Sequence, residues 1–419
     1  MMDRKMQMAV YAYKNTALYR DRWSGRIAID QVAEQGNWEE IPCIEKKDLV
    51  FAGTRAISKE HMGKYATDRL LRTHTSGTSG ICLSTYWDKG DYLASLLPLW
   101  MERWKAAKVH PKDRVCFFNT VLPRDVDCIQ EENSLIFSKS GMTERRLEEI
   151  YGMMQEYSPR WLLLHPGMAM LFCDLVEKKK LPPLSSLRYI EVTGEMILGS
   201  QIERLEQIFS CTVRSHYGTM EVSSIGYEED EGLYRLFESS TYLEILDDSG
   251  KSVEDGTEGN IYVTSLHNHA MPVIRYGLGD RGRIIRKQYK QKEVRFLQLC
   301  KARKNDLLYM PDGDCIQPDG LLKPVEYLNG AEDVMVLQFR AIQERRDLVR
   351  LHIILDSDYE ERMFADHYMR LLDERMKDGI RYEFVFRGEK LFPDRLTGKL
   401  GWFESRCGGG TGVEKNKDI

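Results

Sequence analysis

Between Thr73 and Gly80 the chain reads THTSGTSG, five hydroxyl residues around two glycines. Glycines let a backbone turn tightly and approach a ligand closely, and consecutive amide N–H groups with Ser/Thr hydroxyls can cradle phosphate oxygens. The same residue types also build ordinary polar surface turns, so the stretch alone leaves both readings open. No G-x-x-x-x-G-K-[ST] surrounds these glycines, which disfavours a P-loop phosphotransferase. Cys300, Cys315, His267 and His269 are of zinc-binding type, but they are scattered without a C-x-x-C pair. That pattern favours single buried thiols and solvated histidines.

Chemistry of either kind needs a scaffold, and the composition supplies one. The chain has 419 residues, 42% hydrophobic and 30% charged, enough for a large core and two or more domains. A formal net charge of -5 lacks the basic excess of a dedicated nucleic-acid binder, so no nucleic-acid partner is expected. The N-terminal MMDRKMQMAVYAYKNTALYRDRW mixes charge with short apolar runs and does not read as a signal peptide. No uncharged apolar run of about 18 residues occurs, so no membrane partner is expected. Nine cysteines placed singly, an odd total, suit reduced thiols and a cytoplasmic location.

Helical periodicity runs over Lys89–Trp104, Thr143–Tyr157, Gly167–Lys180 and Ser200–Phe209, alternating with short apolar stretches at 115–118, 161–164 and 189–192. Alternating strand and helix predicts a parallel α/β core. From Tyr242, strand-like runs around Asp/Gly turns predict a β-rich subdomain closing this part. A second, small α+β unit begins near residue 306. It has strands at 334–339, 348–355 and 382–386 and one amphipathic helix, Tyr359–Lys377, ended by Gly379. The glycine-rich CGGGTGVEKNKDI at the end reads as a flexible tail.

In chain order the sequence carries T-S-G-T-S-G (75–80), T-G-E (193–195), H-Y-G-T-M-E (216–221), R-Y-G-L-G-D (275–280), A-R-K-N-D (302–306) and P-D-R-L-T-G-K (393–399). This ordered series resembles the adenylate-forming superfamily of acyl-CoA synthetases, adenylation domains and luciferases. The short length, with AYKNTALYRDRW and WEEIPCIEKKDL near the N-terminus, resembles its phenylacetate-CoA ligase and coenzyme F390 synthetase-like branch. The resemblance implies an α/β fold: a large N-terminal adenylation domain over 1–303, a small mobile α+β lid over 304–406, and a tail over 407–419.

It also implies roles. Thr75, Ser76, Gly77, Thr78, Ser79 and Gly80 would hold the β- and γ-phosphates of ATP. Ile81-Cys82-Leu83 follow where the family often has a lysine. Tyr217 and Gly218 would pack on adenine, and Glu221 would bind Mg²⁺, a hard cation suited to carboxylate oxygen. Met220 stands where a Thr or Ser is usual. Asp280 would accept hydrogen bonds from both ribose hydroxyls, since a carboxylate is acceptor-only; Glu195 and Arg303 join the adenine and ribose set. Asn305 and Asp306 form the expected hinge, with Asn305 in place of the usual aspartate.

Lys399 is the expected catalytic residue, bridging the substrate carboxylate and the α-phosphate. His165, Gly167, Thr193, Gly194, His216 and Ile225 are expected to line the acyl pocket, with core packing the alternative for each. The branch implies an aromatic carboxylic acid as substrate and coenzyme A as acceptor. A carrier-protein phosphopantetheine thiol or an amine would use the same first half-reaction, so an acyl carrier protein is a candidate partner. Only Cys300 stands where several relatives carry C-x-C-G, so no zinc is expected. A monomer or homodimer fits the family, and a non-catalytic nucleotide-binding protein of the same fold is the alternative of another class.

Overall fold

The computed structural model describes residues 2–74, 83–119, 126–138, 143–230, 232–289, 292–300, 307–316, 318–322, 324–325, 328, 336–355, 360–372, 374–386 and 402–407. They divide into two compact units, one ending at Cys300 and the other starting at Leu307.

The first unit opens with helices Arg4–Asn15, Ala17–Trp23, Ile29–Gln35, Lys46–Ala52 and Met62–Ala66 (α1–α5) and a two-stranded hairpin, Leu71–His74 and Ser84–Trp87 (β1, β2). Long helices follow at Lys89–Ala107 (α6), Glu144–Tyr157 (α7), Pro166–Lys179 (α8) and Gly199–Phe209 (α9). Their ends carry ordinary stop and start signals. Asp88 and Thr143 cap α6 and α7 through their side chains, and Pro166 opens α8, where its missing N–H costs nothing.

Among the described residues, twelve strands of this unit form one sheet. They are Val115–Asn119 (β3), Cys128–Gln130 (β4), Ser134–Ser138 (β5), Trp161–Leu164 (β6), Tyr189–Thr193 (β7), Thr212–Thr219 (β8), Ser223–Asp230 (β9), Leu233–Leu236 (β10), Thr241–Leu246 (β11), Gly259–Ser265 (β12), Tyr276–Tyr289 (β13) and Lys292–Leu299 (β14). The order is β11-β12-β13-β14-β10-β9-β8-β7-β6-β3-β5-β4. Strands β5, β3, β6, β7 and β8 pair in parallel, while the β9–β14 side is antiparallel. The β-rich segment expected from Tyr242 onward therefore extends the same sheet rather than forming a separate one.

Alternation along the strands explains why the parallel half reads as almost continuous apolar sequence. Cys116, Leu162, Leu164, Ile190 and Val192 pack with α7, α8 and α9 on one face. Val115, Trp161 and Tyr189 pack with Trp100 and Ala107 of α6 on the other. A sheet covered on both faces keeps no polar side. The antiparallel half is covered by α1 and α2, whose Met6, Ala9, Ala12, Tyr19 and Trp23 share a core with Ile245, Ile261, Val263 and Leu297.

The second unit holds the short pair Leu308–Tyr309 and Cys315–Ile316 (β15, β16) and a four-stranded sheet. The sheet is built from Val336–Arg345 (β17), Leu348–Leu355 (β18), Arg381–Phe386 (β19) and Phe403–Ser405 (β20), in the order β19-β18-β17-β20. The single helix expected over 359–377 is corrected here. The structure has two, Glu361–Leu371 (α10) and Glu374–Lys377 (α11), with Leu372 in extended conformation at ψ 136°. No Gly or Pro marks this break. Phe364, Tyr368 and Leu372 are buried along one face, and the turn after them brings the Met376 side chain onto Gly320, a tertiary contact that helical periodicity does not encode.

Candidate active site

In open α/β sheets ligands bind beyond the carboxyl ends of the parallel strands, and most of the described candidate residues gather there. β6 ends at Leu164 and hands over to His165, the residue before α8. β7 ends at Thr193, in register with His216 of β8. The Thr193 hydroxyl donates to the His216 carbonyl at 2.7 Å. Gly194 has φ +83°, and a Cβ there would fall 2.7 Å from His165 Cε1, so only glycine lets the two strand ends close up. Glu195 Oε2 accepts from the Gly167 N–H at 3.0 Å, and its Oε1 lies 3.8 Å from His165 Nδ1. A carboxylate at the start of α8 also suits the positive end of the helix dipole.

The structure thus brings His165, Gly167, Thr193, Gly194 and His216 together. It puts Glu195 beside them, its carboxylate on the Gly167 N–H. Ile225 is 1% exposed and packs into the core shared with the N-terminal helices.

A second cluster forms where the β8–β9 turn meets the start of β13. Tyr217 Oη donates to Asp280 Oδ2 at 2.7 Å, and Tyr276 Oη donates to Glu221 Oε1 at 2.9 Å. Each segment supplies one tyrosine and one carboxylate. Burial, and then the charge of Glu221, holds the Tyr276 phenol far above its ordinary pKa, so it remains a proton donor to that carboxylate. At Gly218 a Cβ would come 2.6 Å from the Ser223 carbonyl and 3.0 Å from His216 Cε1.

The Met220 carbonyl accepts from Thr85 Oγ1 at 2.9 Å, and Thr85 Oγ1 lies 2.5 Å from Thr73 Oγ1. Strands β1 and β2, which bracket the Thr75–Gly80 stretch, are therefore tied to the residue preceding Glu221. Thr75, Ser76, Gly77, Thr78, Ser79, Gly80, Arg303, Asn305, Asp306 and Lys399 themselves lie outside the described residues.

Beneath both clusters runs a buried polar network that motif reading missed. Arg103 of α6 grips Glu191 of β7 through Nε at 2.8 Å and Nη2 at 2.6 Å. Tyr189 Oη donates to Glu191 Oε2 at 3.0 Å and lies 3.0 Å from Tyr227 Oη. The Arg103 guanidinium also sits 4.4 Å from the Trp100 ring centre and 4.7 Å from that of Trp161. Burial by itself would raise the Glu191 carboxyl, but Arg103 outweighs it and holds the group below the ordinary carboxylate range.

His216 Nδ1 lies 3.7 Å from Glu191 Oε1, and its Nε2 lies 2.9 Å from Ser224 Oγ. Burial lowers its pKa to about 4 against the pull of Glu191, so the imidazole is neutral near pH 7. One sequence signal could have found this network, the lone carboxylate in the otherwise apolar YIEVT.

The two zinc-type histidines are engaged elsewhere. His269 Nδ1 lies 3.0 Å from Asp91 Oδ2, and His267 Nε2 lies 3.1 Å from the Ser239 carbonyl. Among the described residues no group of three or more His, Cys, Asp or Glu is arranged to hold a metal ion, and no helix is long and apolar enough to cross a membrane.

Residues 65–270 match the family of AMP-binding enzymes. The chain is 23% identical over 317 residues to the phenylacetate-coenzyme A ligase of Escherichia coli (strain K12), covering 71% of this chain and 69% of that one. It is 23% identical over 295 residues to the phenylacetate-coenzyme A ligase of Pseudomonas putida, covering 66% and 64%. Its fold is similar to that of a 2-hydroxyisobutyryl-CoA ligase in the postadenylation state in complex with R3-HIB-AMP, at a TM-score of 0.72 and 16% identity over 96% of this chain and 87% of that one.

Proposed function

We propose that this chain, which belongs to the adenylate-forming superfamily of AMP-binding enzymes, activates a carboxylic acid with ATP and passes the acyl group to a thiol, that of coenzyme A. In the first half-reaction a carboxylate oxygen attacks the α-phosphorus, the bond to the bridging oxygen of pyrophosphate breaks, and pyrophosphate leaves. In the second, the thiol sulfur attacks the acyl carbonyl, the carbon–oxygen bond to AMP breaks, and the thiol proton is lost. The acid is aromatic in this reading, as the phenylacetate-coenzyme A ligases in the comparison suggest.

The observation that carries the proposal is the crossed pair of tyrosine–carboxylate hydrogen bonds, Tyr217 to Asp280 and Tyr276 to Glu221. Each holds a carboxylate by one oxygen. Asp280 is then oriented to accept from a ribose diol, and Glu221 keeps oxygen donors of the kind Mg²⁺ takes, one or two carboxylates besides the phosphates. Mg²⁺ bound there would neutralise phosphate charge as pyrophosphate departs. Strands β1 and β2, anchored on the Met220 carbonyl, support a phosphate-holding role for Thr75–Gly80. The acyl group would lie toward His165, Gly194 and the neutral His216, and Lys399 would stabilise charge at the α-phosphate.

The test is pyrophosphate release from Mg-ATP over a panel of aromatic and aliphatic carboxylic acids, followed by coenzyme A as acceptor. Acid-dependent release and a thioester product are expected. ATP binding with no acid-dependent release would instead make the chain a non-catalytic nucleotide binder. Release without a thioester would redirect the acceptor to a carrier protein or an amine.

A further inference from the structure

Glu221 sits on a short, strained turn. Residues 220–222 link β8 to β9, and Ser223, which follows, has φ +68°, a left-handed conformation that is costly for an L side chain. Strain of this kind persists where the surroundings hold it. Inside the turn the Val222 N–H makes only a long bond to Thr219 Oγ1, at 3.4 Å. The Met220 side chain is 53% exposed, so its packing does little to fix the turn. Tyr276 holds the carboxylate end of Glu221, and the backbone beneath it is held through the Met220 carbonyl.

Two hydroxyls from outside the turn meet that carbonyl. Thr73 of β1 and Thr85 of β2 are direct partners across their strand pair, so both side chains stand on one face. Thr85 Oγ1 lies 2.9 Å and Thr73 Oγ1 3.5 Å from the Met220 carbonyl oxygen. A carbonyl only accepts, so Thr85 gives its one hydrogen there, and the 2.5 Å contact between the two hydroxyls takes its hydrogen from Thr73. The result is a relay from Thr73 to Thr85 to Met220. Thr85 is fully buried, a place where valine would fill nearly the same space with no polar atom to satisfy. The hydroxyl contributes the bond, not the packing.

We propose that Thr85, backed by Thr73, is a positioning residue for Glu221: it fixes the carbonyl immediately before Glu221 and so the direction in which the carboxylate faces the Mg²⁺ of Mg-ATP. The assignment rests on the reading of Glu221 as the Mg²⁺ acid. Glu221 is then held at both ends, its carboxylate by Tyr276 of β13 and its backbone by Thr85 of β2. Mg²⁺ demands near-ideal octahedral geometry, so it gains from a ligand whose direction is set before it binds.

Calorimetric titration of the whole chain with ATP, in Mg²⁺ and again in EDTA, gives the gain in affinity that Mg²⁺ brings. Thr85→Val should reduce that gain about fivefold, the scale of one neutral hydrogen bond, and leave the affinity in EDTA within about twofold of wild type. Thr85→Ser keeps the hydroxyl and should restore the gain. Because Thr85 acts through Glu221, the valine change should have no further effect in a Glu221→Gln background. An unchanged gain in Thr85→Val overturns the proposal. So does an equal loss with and without Mg²⁺ accompanied by a lower unfolding midpoint, or a loss that persists in full beside Glu221→Gln. A wild-type chain whose ATP affinity ignores Mg²⁺ would remove Glu221 as the Mg²⁺ acid and Thr85 with it, whereas a normal gain that Thr85→Val leaves intact removes Thr85 alone.

Discussion

The Tyr217 hydroxyl and the Asp280 carboxylate meet at 2.7 Å although 63 positions separate them in sequence and β9, β10 and β14 lie between their strands in the sheet. The antiparallel half must curl for the end of β8 to reach the start of β13. Tyr276 and Glu221, 55 positions apart, repeat the crossing in the opposite sense.

If Asp280 receives the ribose, Asp280→Ala removes hydrogen bonds made in ground and transition states alike. Nucleotide affinity should fall on the order of a hundredfold, the scale of two bonds to a charged acceptor. Tyr217→Phe keeps the ring and loses the bond that orients Asp280, so a loss of about fivefold is expected. Calorimetric titration with ATP decides, and an unchanged affinity in Asp280→Ala would take this residue out of the site.

Glu221→Gln keeps the shape of the side chain and removes its charge. The Mg²⁺ concentration for half-maximal pyrophosphate release should rise by about tenfold or more, because a hard divalent cation loses its carboxylate. Tyr276→Phe leaves that charge in place and should shift the Mg²⁺ curve much less. Superimposable Mg²⁺ curves for wild type and Glu221→Gln would contradict the assignment.

His216 gives a pH signature in stability. Its pKa is lowered from 6.5 to about 4 by burial, so between these values the unfolded chain binds the proton and the folded chain does not. Stability therefore rises with pH through that window, and about 3 kcal/mol is lost on acidification from above pH 6.5 to pH 4. Replacing His216 with Gln should flatten this part of the profile in urea unfolding at stepped pH. An equal slope in the variant would mean that other groups set it.

Lys399→Ala should slow acyl-adenylate formation by roughly 10²-fold or more, the effect of losing one charge-stabilising donor, while a supplied adenylate is still transferred to thiol. Gly77→Val should show the same split, since transfer has no pyrophosphate to hold and a β-branched side chain restricts the loop backbone. Single-turnover assays of each half-reaction measure the ratio. Equal loss in both halves would make either residue a general structural element.

Much of the first unit was legible because its signals are local. The helices over 89–104, 143–157, 167–180 and 200–209 and the strands at 115–118, 161–164 and 189–192 reappear within a few residues of the expected bounds. Thr143 and Pro166 mark two of the helix starts, and a period of 3.6 or an unbroken apolar run needs no knowledge of distant chain. The division of Tyr359–Lys377 into two helices was not legible, because Leu372 leaves the helix without a glycine or proline to announce it.

What the sequence determined by itself was the set of elements, the parallel α/β core and the order of the short motifs, all written in spacing along the chain. The partners of the site residues were decided by tertiary structure alone. Arg103 and Glu191 are 88 positions apart, and nothing near either names the other. Burial of Glu191 in a sheet covered on both faces makes a lone carboxylate costly unless it is paired, and only the packing of α6 over β7 supplies the arginine. The Glu195 carboxylate meets the Gly167 N–H because α8 starts directly after β6. Its amide donors are held where the end of β7 delivers an acid.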